Sequence, residues 1–278
     1  MKNFFNKRPF SLSVAAASVL SAALFFCLLI TNIEAGTGFY KNELNVFRII
    51  FIIVLILAFL LGFVIRHLAR KKALLPVNMK FDFSQLLSER VTFSVLSLGF
   101  LINTFYEIYR YLNPLPSLAL QKTISTFSLL TVLLSAAALV YFIFVSFLIE
   151  NHKVTASVLS ILPAAWVALR ILRNFISYNV IFPVLKNLLT ILYLCALLIT
   201  LFSLCRLLSS TDNSKGFKYF SVFAPITIVL GFTLSVPFIL GVIFQTQSVS
   251  LSDALAGIVD LTLSVFLLRF SMHLYKEN

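Results

Sequence analysis

The amino-acid sequence predicts an all-α polytopic membrane protein, a bundle of about eight transmembrane helices with both termini in the cytoplasm. The composition is the first reason: 60% of the 278 residues are apolar and 12% are charged, whereas soluble domains are about 45–50% apolar and about 25% charged. The second reason is that long apolar runs recur along the whole chain. No segment between them reaches the roughly 50 residues that a separate folded domain needs. The sequence therefore excludes a water-soluble globule and predicts one membrane domain over residues 1–278.

Each predicted span is a run of roughly 20 apolar residues, the length with which a helix crosses a hydrocarbon core about 30 Å thick. Eight runs meet this condition, with approximate bounds 11–31, 48–66, 91–112, 125–149, 155–176, 187–208, 218–241 and 251–270. The first run follows Lys2, Lys7 and Arg8, but it is about twice as long as the apolar region of a signal peptide. We interpret it as a signal anchor.

The basic residues set the predicted orientation. With an inside amino terminus and eight crossings, most of the 22 Lys and Arg residues fall in cytoplasmic segments. A re-entrant fifth span would reverse all later segments and place fewer of these residues inside. The positive-inside rule thus favours eight spans in a cell membrane. It also accounts for the net charge of +12, so no nucleic-acid partner is expected.

The predicted cytoplasmic loop 67–90 begins with a basic cluster that includes Arg70, Lys71 and Lys72. Basic residues next to a bilayer attract anionic lipid, so we expect this loop to contact anionic lipid at the membrane surface. The alternative is that the cluster only anchors the loop on the cytoplasmic side.

Ionisable residues inside three of the spans are the most informative feature of the sequence. Such residues cost free energy in lipid unless they are paired or hydrated. At helical spacing, each of the three spans places its polar residues on one face. The candidate solute-binding residues are Asn103, Glu107 and Arg110 of the third span, Trp166, Arg170 and Arg173 of the fifth span, and Asp253 and Asp260 of the eighth span.

The depth of each charge can be counted along its span, because a helix rises about 1.5 Å per residue. By this count, opposite charges in the three spans lie at similar depths. We predict that Arg170 pairs with Asp260 or Glu107. We also predict that Arg173 pairs with Asp253, which lies at the outer end of its span. Together these pairs would form an outward-facing polar pocket, roofed by the tyrosines of the third span.

A structural interpretation of the same charges competes with this one. Arg170 and Arg173 lie close enough to the outer interface for their side chains to snorkel. Glu107 can pair with Arg110, one helical turn away on its own span. Asp260 fits this interpretation least well, since it lies nearest to the middle of a span, and carboxylates there often mark ion or proton paths.

Known catalytic and cofactor motifs are absent from the sequence. His67, His152 and His273 lie far apart without metal-ligand spacing. No glycine-rich phosphate loop and no nucleophile elbow with its partner residues occurs. We therefore expect no enzymatic activity, no metal site and no cofactor.

Two classes of function agree with these features. The first is a transporter or permease for a small solute, in which the arginines favour an anion and Asp260 couples transport to a proton or cation. The second is a noncatalytic membrane component, meaning a sensor, an assembly factor or a subunit that binds other membrane proteins. In that case the charges only lock the helices together. We take the transporter as the first hypothesis.

Overall fold

The structure, a computed structural model, describes residues 8–31, 46–71, 90–112, 121–148, 158–177, 184–209, 213–246 and 251–276. Within these ranges the chain forms eight α-helices. They are α1 (Arg8–Thr31), α2 (Val46–Lys71), α3 (Arg90–Leu112), α4 (Gln121–Leu148), α5 (Ile161–Ser177), α6 (Val184–Ser209), α7 (Asn213–Ile243) and α8 (Leu251–Lys276). Each helix overlaps one of the eight predicted spans.

Six of these helices, α1, α3, α4, α6, α7 and α8, are long and apolar enough to cross a membrane. The protein is therefore a helical multi-pass membrane protein. Helix α5 has 17 residues, fewer than the roughly 20 that span a bilayer core. It begins at Ile161 instead of 155, and Pro163 falls in its first turn, where a proline costs no backbone hydrogen bond. The count of eight spans stays a prediction.

The predicted cytoplasmic loop 67–90 differs at its start, because α2 continues as far as Lys71. Its remainder, 72–89, lies outside the described residues. The expected contact of this loop with anionic lipid therefore stays a prediction.

Six helices form a closed ring in which each helix packs against the next, in the order α3, α4, α5, α6, α7, α8 and back to α3. Helix α1 packs on the outside of α7, and α2 packs on α1 and α7. Successive helices are antiparallel: Phe93 near the start of α3 stacks on Phe142 near the end of α4, with ring centroids 6.4 Å apart. Contacts between the other helices of the ring follow the same alternation, so α3, α5 and α7 end at the side where α4, α6 and α8 begin.

Aromatic side chains fill the ring where α3 begins and α8 ends. The Phe100 ring lies 4.8 Å from Trp166 and 5.2 Å from Phe142, and the Phe266 ring lies 5.1 Å from Phe93. All five side chains are buried. Tilted and edge-on ring pairs at these distances are the favourable ones. This aromatic cluster closes one half of the ring interior along its axis, and the buried charged residues lie in the other half.

Hydroxyl pairs join the helices inside the bundle. The Ser21 and Thr233 hydroxyls lie 2.7 Å apart between α1 and α7, and those of Thr200 and Thr227 lie 2.9 Å apart between α6 and α7. In membrane proteins such bonds contribute about 0.6 kcal/mol each. Helix α7 takes part in both pairs, so it connects α1 to the ring.

Helix α2 turns a broad apolar face away from the bundle. Ile49, Ile53, Ile56, Leu60 and Phe63 are each about half exposed. A contiguous apolar patch of this kind does not occur on a soluble monomer without a partner to cover it. Lipid covers such a face in a membrane protein, in agreement with the apolar spans.

The orientation of the bundle can be tested with fused reporters. We expect a reporter attached after Lys276 to lie in the cytoplasm. The reason is that eight predicted crossings, an even number, return the chain to the side of its amino terminus. The same reporter after Ser177, where five predicted spans have passed, should read outside. An outside reading at Lys276 would contradict the orientation predicted from the basic residues.

Candidate functional site

A pocket of about 180 Å³ lies between α3, α5, α6, α7 and α8, in the half of the ring interior that contains the buried charged residues. Its charged lining residues are Glu107, Arg110, Arg170, Arg173, Lys186, Asp253 and Asp260. Its other lining residues are Tyr106, Asn174, Asn187, Thr190, Ile191, Leu234, Phe238, Ser252, Ala256 and Gly257. Lys186 and Ser252 lie in the first turns of α6 and α8, so the pocket reaches the end of the bundle.

Helical periodicity explains why several charged residues face the pocket together. Asp253, Gly257 and Asp260 are separated by four and then three residues along α8 and share one face. All three line the pocket. In the same way Arg170 and Arg173 lie one turn apart on α5, and both line it.

The innermost ion pair joins Arg170 of α5 to Asp260 of α8. The two terminal guanidinium nitrogens donate to the two carboxylate oxygens at 2.6 and 3.1 Å, and both residues are 7% exposed. The Arg170 guanidinium lies 4.7 Å from the Trp166 ring centre, and the Tyr193 hydroxyl donates to Asp260 at 3.3 Å. Bidentate pairs are the strongest of their kind. The structure therefore pairs Arg170 with one of the two carboxylates predicted for it.

Two further ion pairs lie nearer to the end of the bundle. Arg173 of α5 donates to the buried carboxylate of Glu107 on α3. Lys186 of α6 lies 2.6 Å from Asp253 of α8, and about a quarter of each side chain is exposed. Each of these pairs joins two different helices. Together with the pair of Arg170 and Asp260, they give every carboxylate that lines the pocket a cationic partner.

The predicted pair of Arg173 with Asp253 is wrong, and so is the alternative pair of Glu107 with Arg110. Arg173 does not pair with Asp253, because Lys186 occupies that carboxylate. Glu107 does not pair with Arg110 on its own helix, because it accepts from Arg173. Matching depth was a necessary condition for these pairs. The angular positions of the helices around the ring decided between partners of similar depth.

Arg110 lines the pocket and is partly buried. Among the residues that the structure describes, it has no carboxylate partner. The cations that line the pocket are Arg110, Arg170, Arg173 and Lys186, and the carboxylates are Glu107, Asp253 and Asp260. With all of these groups ionised, the pocket has one more positive charge than negative charges.

Two candidate residues lie behind the pocket and do not line it. The Asn103 amide donates to the Ser135 hydroxyl at 2.8 Å, so it joins α3 to α4. Trp166 is fully buried beneath the Arg170 guanidinium. Trp166 supports the Arg170 guanidinium, Asn103 connects two helices, and neither residue lines the pocket.

The tyrosines of α3 do not form the predicted roof. Tyr109 is 67% exposed and Tyr111 is 36% exposed, so both point away from the bundle. Tyr106 lines the pocket. The exposed fractions of the side chains, and not their spacing, separate Tyr106 from the two tyrosines that face outwards.

Helix α6 supplies pocket residues that the sequence-based site omits. Lys186, Asn187 and Thr190 line the pocket, and Tyr193 contacts Asp260 behind it. Lys186, Thr190 and Tyr193 follow a spacing of four and then three residues, which places them on one helical face. That periodicity could have identified the face. Lys186 was not a candidate because it lies one residue before the predicted span 187–208.

Gly231 of α7 allows the helices to approach closely beside Asp260. A Cβ atom at this position would lie 1.9 Å from the Ser264 hydroxyl oxygen and 3.1 Å from the Tyr193 ring. The Ser264 hydroxyl in turn donates to the main-chain carbonyl of Asp260 at 2.7 Å. The absence of a side chain at Gly231 therefore helps to set the position of the Asp260 carboxylate.

The chain matches no protein-family model, no curated protein and no solved structure. The pocket is therefore the feature of this protein that points to its function.

Proposed function

We propose that the protein is a transporter for a small solute, and that the pocket between α3, α5, α6, α7 and α8 binds this solute. The supporting observation is a pocket lined by seven charged side chains inside a helical membrane protein. Burying charges in this setting costs free energy, and membrane proteins that contain them commonly use them to bind or conduct solutes.

The dimensions of the pocket favour a small solute. Its volume is about 180 Å³, and an engineered protein cavity of about 150 Å³ accepts a benzene molecule. A solute of similar size would fill the space between the ion pairs without displacing helices.

The closed aromatic half of the ring also fits transport. The pocket reaches one end of the bundle, while the rings around Phe100, Trp166 and Phe266 fill the interior beyond Asp260. A transporter that works by alternating access needs a site open to one side at a time. The described helices leave the pocket open towards one end of the bundle and closed towards the other, which supports such a mechanism.

Filling the pocket should abolish transport. We expect Ile191→Trp to remove protein-dependent uptake, because Ile191 lines the pocket and an indole ring would occupy much of its volume. Leu192→Trp is the matched control, since its side chain is 42% exposed on the outside of the same helix. The measurement is uptake of radiolabelled lactate, alanine and choline into liposomes that contain the purified protein, with empty liposomes as the baseline.

Two results would contradict this proposal. One is that none of the anionic, zwitterionic and cationic probes enters faster with the protein than without it. The other is that Ile191→Trp and Leu192→Trp transport a probe equally well.

A noncatalytic membrane component is the second candidate, and a specific observation favours it. The three ion pairs join α5 to α8, α5 to α3 and α6 to α8, so they can act solely as connections between helices. In that case no probe would be taken up, and replacing an ion pair by apolar residues would leave the protein stable.

A further inference from the structure

We infer that the solute is a small monoanion with an apolar body, such as a short-chain carboxylate, and that Arg110 binds its anionic group. This inference rests on the proposed transport function and defines the chemical class of the solute for the same pocket.

The charge of the pocket is the first support. Three of the four cations that line it are already paired with carboxylates. Arg110 is the fourth, and the described part of the chain provides it with no carboxylate. A bound monoanion would complete the charge balance of the pocket, whereas a cation would add to its excess positive charge.

The chemistry of Arg110 is the second support. A guanidinium is planar and donates two parallel hydrogen bonds, which match the two oxygens of a carboxylate. Arg110 is partly buried, so water screens this interaction less than it would on a fully exposed surface. Its position three residues after Glu107 places it on the pocket-lining face of α3.

An apolar wall is the third support. Ile191 of α6 and Leu234 and Phe238 of α7 line the pocket. In the ring, α3 packs against α4 and α8, so α6 and α7 lie across the interior from it. A solute anchored at Arg110 would therefore direct its other end towards apolar side chains, which a compact inorganic anion would not reach.

Butyrate is a suitable probe because its six non-hydrogen atoms match the number in benzene, which fits a cavity of about 150 Å³. Butyramide has the same shape without the charge, and protonated butylamine reverses the charge. We expect butyrate to bind the purified full-length protein in detergent at least tenfold more tightly than either analogue. Isothermal titration calorimetry at constant chloride concentration would measure the three affinities.

Variants assign the anionic group to Arg110. We expect Arg110→Gln to weaken butyrate binding at least tenfold, and Arg110→Lys to retain part of the affinity because it keeps the charge. Arg269→Gln is the matched control, since Arg269 is exposed on α8 and does not line the pocket. The melting temperature of each variant without ligand should stay within a few degrees of the wild type, which separates lost binding from lost folding.

Several outcomes would overturn the inference. Equal or tighter binding of butyramide or butylammonium would exclude selection for an anion, and inorganic phosphate binding as tightly as butyrate would exclude the apolar body. Unchanged butyrate affinity in Arg110→Gln would exclude this arginine as the anchor. Binding of none of the probes would also overturn it. Transport itself is decided separately by the uptake assay with Ile191→Trp, so the two proposals can fail independently.

Discussion

Arg170→Ala is expected to lower the free energy of unfolding by about 3–5 kcal/mol, because it leaves the Asp260 carboxylate buried without its cationic partner. Asp260→Ala should have a similar effect for the converse reason. The double replacement Arg170→Met and Asp260→Leu removes both charges and fills their space, so it should recover most of this loss. Denaturation of the purified protein in mixed detergent micelles would measure these differences.

Arg269→Ala is the control for this series, because Arg269 is exposed on α8 and does not line the pocket. We expect that variant to unfold within about 0.5 kcal/mol of the wild type, as most exposed substitutions do. An unchanged stability of Arg170→Ala would show that the fold does not need this ion pair. Recovery in the double variant together with a loss of uptake would show that the pair serves both the fold and the transport of solute.

Gly231→Ala is expected to destabilise the protein by about 1–3 kcal/mol, the usual cost of overpacking a well-packed core. The new methyl group would overlap the Ser264 hydroxyl and press on the Tyr193 ring. Rotating the hydroxyl away would break its hydrogen bond to the Asp260 carbonyl, and the Ser264 Cβ atom would still lie 3.1 Å away. Thermal unfolding in detergent would measure the loss.

Gly257→Ala is the matched control for Gly231→Ala. A Cβ atom at Gly257 would meet the Ser235 backbone at 3.4 to 3.5 Å, which is ordinary van der Waals contact, so this variant should be nearly as stable as the wild type. Adding Ser264→Ala to Gly231→Ala should recover part of the loss, because it removes the closest atom. Equal stability of the two glycine variants would contradict the packing described beside Asp260.

Much of the fold follows from local features of the sequence. Every described helix overlaps a predicted apolar run. Such runs are easy to find in a sequence, because the thickness of the bilayer requires each of them to be long. Apolar periodicity does not predict exact ends. Helix α5 begins at Ile161 and not at 155, and α2 continues past its apolar run to Lys71.

The candidate site was predicted in part, and the division has a physical cause. Helical spacing and depth predicted that Arg170 pairs with Asp260 or Glu107, and the structure shows the pair with Asp260. Helical spacing did not predict the pair of Lys186 and Asp253, because Lys186 lies one residue before the predicted span 187–208. Asn103 shares the polar face of α3, but its hydrogen bond to Ser135 turns it towards α4.

The sequence alone determined that this is a helical membrane protein, where its helices lie and which residues share a helical face. These properties depend on composition and on spacing along the chain, both of which are local. Only the tertiary structure decided which faces meet. In the ring, Lys186 of α6 reaches Asp253 of α8 across the pocket, and Arg110 has no carboxylate partner among the described residues. Depth in the membrane can be counted along a helix, whereas the angular order of helices depends on the packing of residues that are distant in the sequence.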